Sequence, residues 1–273
     1  MDTFGCGWKP RCVPSDAFNK IEKLVTGEYN HAIIDEIDWW RTEAKQDVFT
    51  FNKADVAVSL ATANGMTVEG DNLVYAYSDF KITFLGNLKD LNRDTLLGIM
   101  KRHINQLASH FKGRITQYCV VNEYRTDPVW DKFNSIIGPD YVDVAFQTAR
   151  DADPDASLYY NDAFNETMDL WAYEQTKNNT QRLKNKGLIN AVGLQMVLID
   201  AAKPPAKEKF IATMKSYGLP VIISSLNVYL TNVQGTDEER SKKKTSRCLH
   251  DGFRGRFRIW CLSRYLSMGR VRR

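Results

Sequence analysis

Hydrophobic and polar positions along this chain fall into one phrase that recurs four times: an amphipathic helical stretch, a glycine where the helix should stop, then a short apolar run. Ser15 to Thr26 carries Phe18, Ile21, Leu24 and Val25 on one face, reaches Gly27 and leads into His31 to Ile34. Ala54 to Asn64 reaches Gly65 before Met66 to Tyr75, and Thr180 to Lys186 reaches Gly187 before Ala191 to Val197. Lys207 to Tyr217 reaches Gly218 before Val221 to Ser224. Glycine suits the left-handed conformation that closes a helix, and strands alternating with helices imply parallel pairing through crossovers.

Two more helices keep the rhythm. Asp94 to Phe111 places Leu96, Met100, Ile104, Leu107 and Phe111 at spacings of three and four, and Asp140 stands where it can cap Tyr141 to Arg150. The turn DADPDA then feeds a strand over Ser157 to Tyr160. With Phe4 to Trp8, Ile115 to Val121 and, least regular, Arg256 to Trp260, the strands number eight. That number closes a parallel barrel, so the expected fold class is α/β, a (β/α)8 TIM barrel incomplete at both termini. A doubly wound open sheet is the alternative, but it would want a glycine-rich phosphate loop, and neither GxGxxG nor GxxxxGK[ST] occurs.

Composition narrows the class. The chain has 273 residues, 43% hydrophobic and 26% charged, enough for one large domain or two small ones. No apolar run approaches the roughly 20 residues of a spanning helix, and MDTFGCGWKP lacks the basic and then apolar order of a signal peptide, so neither membrane insertion nor an export segment is expected. Five cysteines without a CxxC pair and four histidines without an HExxH cluster indicate no disulfide framework, no metal site and no cofactor. The net charge of +4 is uneven: residues 241 to 273 hold eleven Lys and Arg against Asp251 alone, leaving 26 basic and 32 acidic residues elsewhere. From Ser241 onward the helical period fades, which divides the chain into a body, 1–240, and a basic atypical segment, 241–273, holding the least regular, eighth strand.

The chemistry concentrates in GRITQYCVVNEY, Gly113 to Tyr124, where a buried apolar run ends on Asn122 and Glu123. In helix-wrapped parallel sheets ligands bind at the C-terminal ends of the strands, so an Asn-Glu pair there is a candidate site.

With the strand ends aligned, the chain resembles glycoside hydrolase family 10, the endo-β-1,4-xylanases. The resemblance is carried by FTFNKAD (Phe49 to Asp55), ANGMTVEGDNLVYA (Ala63 to Ala76), VVNE (Val120 to Glu123), DYVDVAFQTARDADPDASLYYND (Asp140 to Asp162), VGLQM (Val192 to Met196) and GLPVIISSLNVYLTNVQGTDEER (Gly218 to Arg240). It implies an extracellular retaining glycosidase acting on β-1,4-xylan or xylo-oligosaccharides with two carboxyls about 5–5.5 Å apart. By motif match Glu123 is the acid/base, Asn122 contacts the sugar 2-hydroxyl and Gln195 lines a subsite; Tyr75, standing where the family has a tryptophan, is a further candidate for substrate binding. Trp260 matches the stacking tryptophan of the eighth strand.

The departures are as specific. Where the family reads a pattern similar to ITELD, this chain reads Ile223-Ser224-Ser225-Leu226-Asn227, so Ser225 occupies the nucleophile position. GHTLVWH reads Gly70 to Ala76 without either histidine, ENEMKW reads Asp35 to Trp40 with Trp39 in place of the lysine, and Val197 replaces the histidine after LQM. Three readings stay open: a degraded copy whose basic segment reflects a shifted frame after about Lys243, a scaffold with a rebuilt pocket, and a non-catalytic barrel that binds glycan through Asn122, Gln195, Tyr75, Trp39, Trp40 and Trp260. The first is preferred. Nucleic-acid binding through the basic and aromatic segment is not expected, because a shifted frame gives the same composition. A barrel short of helices at both ends leaves apolar surface uncovered, and low solubility is expected.

Overall fold

The computed structural model describes residues 5–7, 29–75, 91–124, 131–198, 205–228 and 258–259, with single positions between them. Its strands are β1 (Gly5–Gly7), β2 (His31–Ile34), β3 (Thr67–Tyr75), β4 (Gln117–Asn122), β5 (Ser157–Ala163), β6 (Ala191–Leu198), β7 (Val221–Val228) and β8 (Arg258–Ile259). They form one sheet in chain order, every described pair parallel, which is the strand order of a (β/α)8 barrel. The described helices are α1 (Trp39–Thr42), α2 (Asn52–Ala63), α3 (Arg93–Phe111), α4 (Lys132–Ile137), α5 (Tyr141–Ala152), α6 (Tyr173–Asn185) and α7 (Lys207–Ser216). None is long and apolar enough to cross a membrane.

Each expected strand has a counterpart, including the least regular one at Arg256 to Trp260, of which Arg258–Ile259 pairs with β7. The helix expected over Ser15 to Thr26 lies outside the described residues, as does nearly all of 241–273. Gly65, Gly187 and Gly218 take positive φ where their helices end. Two expectations need correction. α6 begins seven residues before Thr180, because its buried face is built from Tyr173, Thr176, Asn179 and Thr180 as well as Leu183, and polar residues hide that stripe from a hydrophobic count. Asp140 holds the cap position of α5 but has helical backbone angles and makes no capping bond; its carboxylate instead accepts from Arg93 at 2.5 and 3.1 Å.

The core has two shells. Outside the strands, Val68, Tyr118, Val120, Leu158 and Tyr160 pack against the apolar faces of α2, α3 and α5. Inside, Ile33, Cys119, Tyr159, Ala191 and Ile222 form one layer, drawn from alternate positions as strand geometry demands. Below it, toward the strand starts, lies a polar layer. Glu69 accepts from the Tyr159 hydroxyl at 2.5 Å and from Gln117 at 2.6 Å, with His31 Nε2 at 3.5 Å. Burial pushes the Glu69 carboxyl up to about 8, the neighbouring Asp71 adding to the rise.

Candidate active site

The strand ends opposite that polar layer carry the candidate chemistry. Tyr75 closes β3, Asn122 closes β4, Asn161 lies near the end of β5, and Gln195 and Ser225 lie in the C-terminal halves of β6 and β7. Register brings them together: Tyr75 pairs with Asn122, Asn122 with Asn161, and Gln195 with Ser225. The last pairing depends on an irregularity. Leu194 opposes Ile223, yet Gln195 opposes Ser225, so one residue of β7 is skipped. Without that shift Gln195 would face Ser224, and Ser225 would follow the alternation to the helix side.

Asn122 is held by its carbonyl. Asn161 Nδ2 and Gln195 Nε2 both donate to Asn122 Oδ1 at 2.9 Å, and Ser224 Oγ donates to Asn161 Oδ1 at 2.7 Å. With the oxygen occupied twice, the amide group of Asn122 is the part left to donate to an acceptor such as a sugar oxygen. Gly193 makes this possible, because a Cβ there would collide with Asn161 Oδ1 and lie 2.8 Å from the Tyr159 ring.

Glu123 follows directly, in the left-handed conformation with φ 56°. Its backbone N–H donates to Asn161 O at 2.9 Å, and the Tyr75 hydroxyl donates to Glu123 Oε2 at 3.2 Å. A non-glycine residue at positive φ is uncommon and turns the side chain off the strand path. The half-buried carboxyl therefore combines a fixed backbone with partial access to solvent. Such a group can give and take a proton.

Of the residues singled out from sequence, Glu123, Asn122, Gln195, Tyr75 and Ser225 gather at this end of the barrel, and Trp260 lies outside the described residues. Trp39 does not join them. It is 2% exposed and stacks flat on His103 of α3 with ring centroids 4.0 Å apart, so it belongs to the packing behind the strands. Trp40 lies beneath the Arg41 guanidinium, 4.2 Å from its ring centroid. Asn161 and Ser224 were missed from sequence, although Ser157, Tyr159 and Asn161 alternate in β5 and mark the inward face. Among the described residues no cluster of three or more His, Cys, Asp or Glu could hold a metal ion.

The profile of glycosyl hydrolase family 10 matches residues 3–262, running past Arg240 to take in β8. Endo-1,4-beta-xylanase A of Phanerodontia chrysosporium is 32% identical over 197 residues, 71% of this chain and 47% of that protein. Endo-1,4-beta-xylanase A of Thermotoga maritima is 36% identical over 156 residues, 54% of this chain and 14% of that protein. The chain thus spans about half or less of the length of these curated relatives. Among solved structures, native xylanase 10B from Thermotoga maritima superposes with a TM-score of 0.79 at 25% identity, covering 96% of this chain and 82% of that one. Xylanase 10B from Thermotoga petrophila, solved in complex with xylobiose, gives 0.78 at 24% identity, covering 96% and 81%.

Proposed function

The chain belongs to glycosyl hydrolase family 10, and from that membership we propose that its barrel mouth binds β-1,4-xylan or xylo-oligosaccharides, with Glu123 as the acid/base of an impaired endo-β-1,4-xylanase. The observation that carries this reading is the bonded set Ser224, Asn161, Asn122 and Gln195 beside Glu123. It is a polar floor of the kind that orients a sugar, assembled from four consecutive strands. The relatives support the substrate class, since they are named as xylanases and one solved neighbour holds xylobiose.

Retaining hydrolysis needs a second carboxylate to attack the sugar while the first protonates the leaving oxygen. Ser225 occupies that position by motif and stands beside Gln195. A hydroxyl without an adjacent base is a weak nucleophile at neutral pH, so the covalent step fails while binding persists. For polymeric xylan, which does not enter a cell, the place of action that this reading gives is extracellular.

Losing one member of a catalytic pair removes several orders of magnitude in rate. Ser225→Glu is expected to raise cleavage of xylan or an aryl xyloside at least ~100-fold over the parent. A folded Ser225→Glu protein that still binds xylo-oligosaccharide but gains no cleavage would sink the assignment of Ser225.

A further inference from the structure

Ser224 stands on β7 and bonds Asn161 of β5, reaching past β6 because that strand carries a glycine between them. Gly193 pairs with Asn161 on one side and with Ile222 of β7 on the other. Any side chain there would fill the gap: a Cβ on Gly193 would collide with Asn161 Oδ1 and lie 2.8 Å from the Tyr159 ring. The irregularity between Leu194 and Gln195 gives β7 one extra residue at this level, so Ser224 bonds Asn161 while Ser225 stands beside Gln195. Ser224, Asn161 and Asn122 are all buried.

A buried row of amides has a direction. The two ends of an asparagine side chain match in shape and are opposite in hydrogen bonding, so a row can run with its carbonyls toward one end or toward the other. This row starts at the hydroxyl: Ser224 Oγ donates to Asn161 Oδ1 at 2.7 Å, Asn161 Nδ2 donates to Asn122 Oδ1 at 2.9 Å, and Gln195 Nε2 donates to that same oxygen at 2.9 Å. Two features hold the direction. The Gly193 hydrogen that takes the place of a Cβ points at Asn161 Oδ1, a contact that a carbonyl oxygen accepts and an NH2 group would not. The Ser224 hydroxyl supplies the donor that a buried carbonyl oxygen requires. Run the other way, the row would engage Asn122 Nδ2 and leave its oxygen for a ligand, exchanging a donor for an acceptor.

We propose that Ser224 and Asn161 are positioning residues that act through Asn122 and fix the polarity of the floor. Asn122 then offers an N–H to the ligand, and Gln195, its Nε2 engaged, offers Oε1. The floor thereby asks for an accepting oxygen at Asn122 and a hydroxyl hydrogen at Gln195. The inference rests on the cleft reading above and deepens it by naming what sets the sense of its hydrogen bonds. Asn161 is the place to test the direction, because aspartate has the same shape and, when ionised, only accepts.

Calorimetric titration of the whole chain and its variants with xylobiose at neutral pH tests this. Asn161→Asp is expected to weaken xylobiose at least ~10-fold, because a carboxylate cannot donate to Asn122 Oδ1. In a row of the opposite direction that carboxylate would go on accepting from Asn122 and Ser224, so a folded Asn161→Asp protein that binds like the parent overturns the proposal and leaves the cleft standing. Ser224→Val and Ser224→Thr, alike in shape and different in the hydroxyl, give a second arm that buries no charge. Ser224→Val is expected to weaken xylobiose at least ~10-fold, and Ser224→Thr, which the pattern ITELD carries at this position, to stay within about twofold of the parent. Equal affinities in that pair overturn the proposal by making the hydroxyl idle, and equal losses overturn it by making the position one of packing alone. A parent protein that does not bind xylobiose overturns cleft and polarity together.

Discussion

Glu69 lies under the apolar ring of the barrel, where two neutral donors and a histidine face it and burial keeps its proton on to about pH 8. In an unfolded chain the same carboxyl ionises near its ordinary value of 4.5. Between those values the folded state holds the extra proton, so stability falls as pH rises through that window and levels off above it. Glu69→Gln keeps the acceptor for Tyr159 and removes the titration. Chemical denaturation from pH 4.5 to pH 8 should show a decline on the order of 3–5 kcal/mol for the parent and a flatter profile for the variant; parallel profiles would place the proton elsewhere. His103 is a second buried group, its pKa lowered by burial although Glu43 Oε2 lies 3.0 Å from its Nδ1, and its ring is sandwiched against Trp39. Glu69 and the lysine replacement Trp39 were both readable as letters in the sequence. That one would sit under the barrel layer and the other behind the strands depended on neighbours far away along the chain.

Helix boundaries show the same division. α3 was legible because its apolar stripe is strong, and all five of its expected core residues, Leu96, Met100, Ile104, Leu107 and Phe111, are buried. α6 was only half legible, since its buried stripe is mostly polar. Capping residues separate by geometry rather than by type. Asn92 has extended backbone angles and accepts from Thr95 N–H at 2.9 Å, whereas Asp140 is helical and reaches Arg93. Asn92→Ala should therefore lower the unfolding free energy by about 1 kcal/mol. Asp140→Ala, which breaks an exposed ion pair, should cost less, at most about 0.5 kcal/mol. Urea titrations of the two variants check the order, and a larger loss for Asp140→Ala would contradict it.

The sheet as a whole depends on β8, two residues that pair with Ile222 and Ile223 of β7 inside the segment the composition set apart. Removing 241–273 would leave the far side of β7 as an unpaired edge, and such edges recruit other chains. The truncated chain is expected to melt at lower temperature and to self-associate in light scattering; a monomer of unchanged melting temperature would show that β8 adds nothing. What the sequence determined alone is the alternation of helix and strand, the eight apolar runs and the residue types at their ends, because burial period and turn chemistry are local properties of the chain. Only the tertiary structure decided that Ser225 rather than Ser224 stands beside Gln195, that Asn161 and Ser224 complete the floor under Asn122, and that Trp39 faces α3. Each of those depends on strand register and on which shell a side chain enters, and both are set by contacts between residues tens of positions apart.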